Sequence, residues 1–251
     1  MLKKFLSFLM FASLFAWFSP VLAAKPNYAP EFPENSGIYD MPGYPNLKVR
    51  IFVHKAKPAK PGSGPTPISG TCSLDGNIND YIGSAGWHLP SKFTYNLNPT
   101  SVPGYVSGLS TIAQNAFGVW TSAISGKVSL TAGPITDVTR ASYDGQNIIA
   151  WGRTSGSALA VTYTWYDRYT KEALQVDTIM NKKFFWTSGG CFANSYDAQD
   201  ILTHELGHWF GLNDYYESNY IDNTMYGYGS KSETKKSTLT DGDIAGINAI
   251  Y

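Results

Sequence analysis

The segment His204-Glu205-Leu206-Gly207-His208-Trp209-Phe210-Gly211-Leu212-Asn213-Asp214 constrains this chain more than any other. Histidines four apart emerge one turn apart on the same face of a helix. Two neutral imidazoles at that separation can share one zinc ion. Glu205, next to the first histidine, can reach a water on such a metal without displacing it and take its proton. Gly207 leaves room beside the helix. Gly211 comes where the helix has to stop, because glycine tolerates the left-handed backbone that turns the chain back. Asp214 can then supply a carboxylate oxygen as third ligand, and three protein ligands plus a water make a catalytic rather than a closed structural site. A bare His-Glu-x-x-His also arises by chance as the polar face of a helix. Here only four histidines occur in the whole chain, and two fall in this array with the Glu, Gly and Asp in register.

The N-terminus bears on where such a site would work. Lys3 and Lys4 precede a run from Phe5 to Phe18 that is apolar except for two serines, followed by Pro20 and the small-residue site at Ala23. That order predicts a secretory signal peptide over 1–23. The run is shorter than the roughly 20 residues that span a bilayer, so no membrane anchor is expected after cleavage. Without the two leader lysines, 17 basic residues face 19 acidic ones, a net charge of −2. No basic block stands out, so nucleic acid is excluded as a partner class. The expectation is a secreted, extracellular monomer acting on a protein or peptide.

Residues 24–70 differ in composition from the rest. Prolines recur at Pro26, Pro30, Pro33, Pro42 and Pro45 and again at Pro58, Pro61, Pro65 and Pro67. Between them Leu47 to Val53 alternates as a strand does. The stretch Lys55 to Gly70, rich in Lys, Pro, Gly and Ser, reads as a linker. The segment is either a propeptide or an N-terminal extension. Residues 71–251 read as the folded domain. A strand is expected at Phe93 to Leu97. Ser107 to Thr121 carries Leu109, Ile112, Ala113, Ala116, Phe117 and Trp120 at helical spacing. Strands are expected near 128–132, 147–151, 158–166 and 173–179. A helix follows from an Asp197 N-cap to Phe210, and a last one over 240–250. The layout is α+β.

Asn223-Thr224-Met225-Tyr226-Gly227 follows the array, and with it the chain resembles the metzincin clan, in which a methionine turn lies beneath the metal. Met225 matches that methionine. Within the clan the chain is similar to matrixins, on Trp87-His88-Leu89-Pro90 with Phe93-Thr94-Tyr95, on Ala116 to Trp120, on Val176 to Ile179 with Asn181, and on Leu239 to Ile247. The resemblance implies a zincin fold: a twisted, mostly parallel five-stranded sheet with an edge strand over the cleft, a backing helix, an active-site helix and a C-terminal helix. Residues 176–181 are matched to the edge strand. The resemblance also implies a metalloendopeptidase whose peptide substrate pairs with that strand. The alternative class is a non-catalytic exported binding protein retaining the fold. Glu205 argues against it, since a scaffold has no use for a base beside the metal.

Matrixins carry a third histidine where this chain has Asp214, a feature shared with the snapalysin-like enzymes. His54 and His88 lie far from the loop that holds the second, structural zinc of animal matrixins, so one catalytic Zn2+ is expected. Asp137, Asp144 and Asp177 are candidates for Ca2+, but no motif supports calcium. Tyr228 is a candidate hydrogen-bond donor to the reacting carbonyl or, more simply, an aromatic cleft wall. Cys72 and Cys191 are the only cysteines. In an exported chain they predict a disulfide, worth roughly 4–5 kcal/mol for so long a loop in the chain-entropy account. The alternative is a cysteine switch, with the Cys72 thiolate capping the zinc, although the residues around it lack the family's switch motif.

Overall fold

The computed structural model describes residues 34–58 and 80–251. Its centre is a five-strand unit: β3 (Lys92–Leu97), β4 (Ser129–Ala132), β5 (Ile148–Gly152), β6 (Ala158–Asp167) and β7 (Ala173–Asn181). The strands lie side by side in the order β4, β3, β5, β7, β6; all neighbours are parallel except β6, which runs antiparallel to β7. β5, Ile-Ile-Ala-Trp-Gly, is buried at every position, as an apolar run must be when both faces of a strand are covered. The helices α1 (Leu109–Ala123), α2 (Ala198–Trp209) and α3 (Asp241–Ile250) complete the α+β fold.

α1 buries the six residues its periodicity predicted, and it carries the indole of Trp120, which donates to the Thr203 carbonyl at 2.8 Å. That bond fixes α1 against the middle of α2. The main core lies between these helices and the sheet and includes Phe117, Trp120, Ile149, Met180, Leu206 and Trp209. α2 starts where expected: the Asp197 carboxylate accepts the N–H groups of Gln199 and Asp200, each at 2.9 Å, satisfying two of the donors a helix start leaves free. α3 opens on a capping box of Thr240 and Asp243.

Two expectations change. Residues 176–181, matched to the edge strand, lie on β7, which is paired on both sides. Its burial pattern, closed at all but one position, is that of an interior strand. The edge of the five-strand unit on that side is β6, the opposite edge being β4. The second is where the linker begins. Leu47–Ala56 forms a ten-residue strand, β2, antiparallel to β6 along its whole length, from Leu47 opposite Asp167 to Lys55 opposite Ala158. β1 (Gly37–Asp40) pairs with the far side of β2. With one further short strand, the sheet has eight strands among the described residues. Lys55 and Ala56, read as linker, belong to β2. The remaining strands are short: β8 (Trp186–Thr187) pairs with β9 (Tyr196–Asp197) just before α2, and β10 (Tyr228–Gly229) joins β2 in parallel.

Candidate functional site

The helical spacing does what it predicted. His204 and His208 are both fully buried on α2, with ring centroids 4.9 Å apart. Each ring is oriented by its Nδ1, which donates to a carbonyl: His204 to Thr224 at 2.7 Å, His208 to Leu212 at 3.0 Å. A ring whose Nδ1 carries the proton presents the Nε2 lone pair, the usual arrangement of a metal-binding histidine. Both Nε2 atoms point at one carboxylate oxygen, Asp214 Oδ1, at 3.1 and 3.3 Å. The Asp214 side chain is 5% exposed.

These three atoms are among the few buried side-chain nitrogens and oxygens left without a hydrogen-bond partner among the described residues. Ligand atoms about 2.0–2.1 Å from a tetrahedral zinc stand about 3.3 Å from one another, so the spacing fits one ion. The charges of the three groups are tied together: burial would lower the His208 imidazole, but Asp214 beside it outweighs that and raises it, so a metal binding there would displace a proton. Burial alone would raise the Asp214 carboxyl, but His208 and His204 beside it outweigh that and hold it well below the usual range. Burial and then the neighbouring His54 push His204 down to about 4, leaving it neutral as a ligand must be.

Gly211 performs the turn. Its φ is +93°, and a Cβ there would overlap the Trp87 carbonyl oxygen. Past it, Asn213 donates its N–H to the Gly83 carbonyl at 3.0 Å, which directs Asp214 back over the helix. Met225 is fully buried directly beneath α2, where a Cβ on Gly207 would overlap its sulfur. The turn that carries it is held from α3: Asp243 accepts the N–H of Thr224 at 2.9 Å and of Met225 at 3.2 Å.

Glu205 is also fully buried. Burial raises its carboxyl, and His204, His208 and Thr162 act against that. Thr162 on β6 donates to Oε2 at 2.6 Å. The Thr162 hydroxyl lies 2.7 Å from that of Thr178 on β7, which accepts the Trp209 indole N–H at 2.8 Å. One set of proton positions satisfies all three links, running from Trp209 through the two threonines to Glu205. On the other oxygen, Oε1, stands His54 Nδ1 at 3.1 Å.

Sequence reasoning missed Thr162, Thr178, Tyr216 and His54. Tyr216 donates to Asp214 Oδ2 at 3.2 Å and so steadies the oxygen opposite the one facing the histidines. Tyr228, the tyrosine singled out, contacts the Tyr216 ring instead, at 5.1 Å. Of the calcium candidates, Asp177 is buried and accepts the N–H groups of Ser142 and Ile148, so its oxygens serve a loop. The cysteine pairing and the cysteine switch both depend on Cys72, which lies outside the described residues, as does the leader over 1–23.

A sheet backing a helix that carries two convergent histidines and a glutamate, with a methionine turn beneath them, defines the metzincin class of zinc metallopeptidase. The family model for Matrixin matches residues 86–251. This chain belongs to the matrixins. No curated protein matches it.

Proposed function

We propose that the chain is a secreted zinc metalloendopeptidase that cleaves extracellular proteins, with His204 Nε2, His208 Nε2 and Asp214 Oδ1 as its metal ligands and Glu205 as its base. The observation that carries this reading is the convergence of three unpartnered, buried ligand atoms at zinc spacing, with the Glu205 carboxylate alongside. A bound zinc ion supplies a Lewis acid for the peptide carbonyl and lowers the pKa of its water towards 7.

The protein's residues do the rest. The Nδ1 bonds to Thr224 and Leu212 keep both imidazoles in the ligating tautomer. The Thr162 hydroxyl holds Glu205 through Oε2, and Oε1, which faces His54 in this structure, is the oxygen that takes a proton from the attacking water and passes it to the departing amine. Asp214 brings a negative charge where the family has a neutral histidine, which weakens the Lewis acidity of the metal. The peptide is placed as an extended strand along β6, on the side that β2 pairs with in this structure, by main-chain pairing.

The test is hydrolysis of an unfolded casein by zinc-loaded protein, both intact and after a cut between residues 59 and 70. Chelation should abolish cleavage and added zinc restore it, and Glu205→Gln should retain zinc while losing at least about a hundredfold in rate. A Glu205→Gln variant as active as the parent would refute the assignment of the base.

A further inference from the structure

The groove that this reading gives to substrate already holds a strand. β2 lies between β6 on one side and β10 on the other, antiparallel to the first and parallel to the second. Beyond the strand, Lys57 donates its N–H to the Gly229 carbonyl at 2.9 Å. Alternation then sends Phe52 and His54 to the face of the metal helix. The Phe52 ring stacks on His208 with centroids 3.7 Å apart and planes at 3°. The His54 ring lies over His204 at 3.8 Å, and its Nδ1 meets Glu205 Oε1. Phe52, His54, His204, His208 and Glu205 are all fully buried.

We propose that β2 is the chain's own inhibitor. It occupies the peptide groove as a substrate strand would, and His54 takes the oxygen of Glu205 that the attacking water needs. The intact chain is then latent, and cutting in the segment that follows β2 followed by departure of the strand opens the site. His54 also answers why such a strand escapes cleavage, since with Oε1 engaged by an imidazole no water is held there to be activated. The His54 Nε2, buried with no hydrogen-bond partner among the described residues, is what a locking residue built for release rather than for stability leaves behind. The other face of β2 holds it in place: Val49, Ile51 and Val53 pack with Val161 and Trp165 of β6. A cut alone therefore leaves the strand bound, and activity appears only as it dissociates.

This inference rests on the proposed peptidase reading, and the experiment separates the two. A specific protease site is placed between residues 59 and 70 of the full chain, so that Cys72 stays with the larger fragment. Amide hydrogen exchange of residues 158–167 is followed in zinc-free protein, alongside peptide hydrolysis in zinc-loaded protein. In the intact chain the β6 amides should be protected and hydrolysis at least about a hundredfold slower than in cut, diluted protein. On dilution of cut protein the amides should become exposed while the rest of the domain keeps its circular dichroism. A synthetic peptide of residues 34–58 should restore both protection and inhibition, and the same peptide with His54→Ala should inhibit at least tenfold less well. Equal hydrolysis by intact and cut protein would overturn the proposal, as would loss of the fold when the strand leaves, which would make β2 a structural strand. Exchange that follows the strand without any hydrolysis in the zinc-loaded cut form would leave the inhibitor fit standing and reject the peptidase reading instead.

Discussion

The hydroxyl of Thr162, on β6, donates a 2.6 Å hydrogen bond to Glu205 Oε2 on α2, and so ties that strand to the candidate base. Thr162→Val keeps the shape and removes the donor. It leaves the Thr178 hydroxyl without its acceptor as well. Because residues that orient the groups around a metal typically matter by 10–100-fold, we expect kcat/KM of the cut, zinc-loaded protein to fall by about that factor. Zinc content should be unchanged, since no ligand is touched. Kinetics alongside metal analysis would check this, and an unchanged kcat/KM would show that Glu205 is held in place without the threonine.

Gly207 and Met225 share one space. A Cβ at Gly207 would overlap the Met225 sulfur and come within 2.9 Å of the Trp120 ring. Gly207→Ala should therefore destabilise by overpacking, about 1–3 kcal/mol, and Met225→Ala by the cavity it opens, about 2–5 kcal/mol. In the double variant the new methyl sits in the vacated space, so the combined loss should be smaller than the two losses added together. Denaturant titrations of the four proteins measure the coupling, and strict additivity would mean that the two sites do not touch.

Asp200 provides a pH signature away from the metal. Burial, and after it the neighbouring Glu233, push its carboxyl up to about 8 against the pull of Lys236. The folded chain thus holds a proton there that the unfolded chain releases near pH 4. For an acid with a raised pKa the stabilising contribution is complete below the unfolded value and is lost as pH rises towards the folded one. Asp200→Asn should preserve the bond from the Lys236 N–H, which is 2.7 Å long in the parent. The stability of the parent relative to this variant should therefore decline between about pH 4 and 8, with a slope of at most about 1.4 kcal/mol per pH unit. Parallel stability curves across that range would contradict the shift.

Much of this was legible in the sequence because the metal motif is local. The His204 to His208 spacing, the turn at Gly211 and the helix caps at Asp197 and Thr240 are each set by neighbours in the chain, and each stands where the spacing placed it. The tertiary partners were hidden. Nothing near Thr162 or Thr178 marks them as partners of Glu205, since they are ordinary β-branched residues at alternating positions in strands, and their meeting depends on how β6 and β7 pair. The edge strand was misplaced for the same reason, because a short match to a family strand does not say whether that strand is paired on one side or two. His54 was hardest to see. It lies 151 residues from Glu205, in a segment read as a propeptide or N-terminal extension, and only the register between β2 and β6 brings it to the site.

The central claim is that His204, His208 and Asp214 together hold one zinc ion. It is tested most directly by measuring zinc bound per chain in competition with a chelator of known affinity, for the parent and for Asp214→Ala. The account predicts one zinc per chain in the parent and at least a hundredfold weaker binding in the variant. An Asp214→Ala protein that keeps one zinc with the affinity of the parent would contradict it.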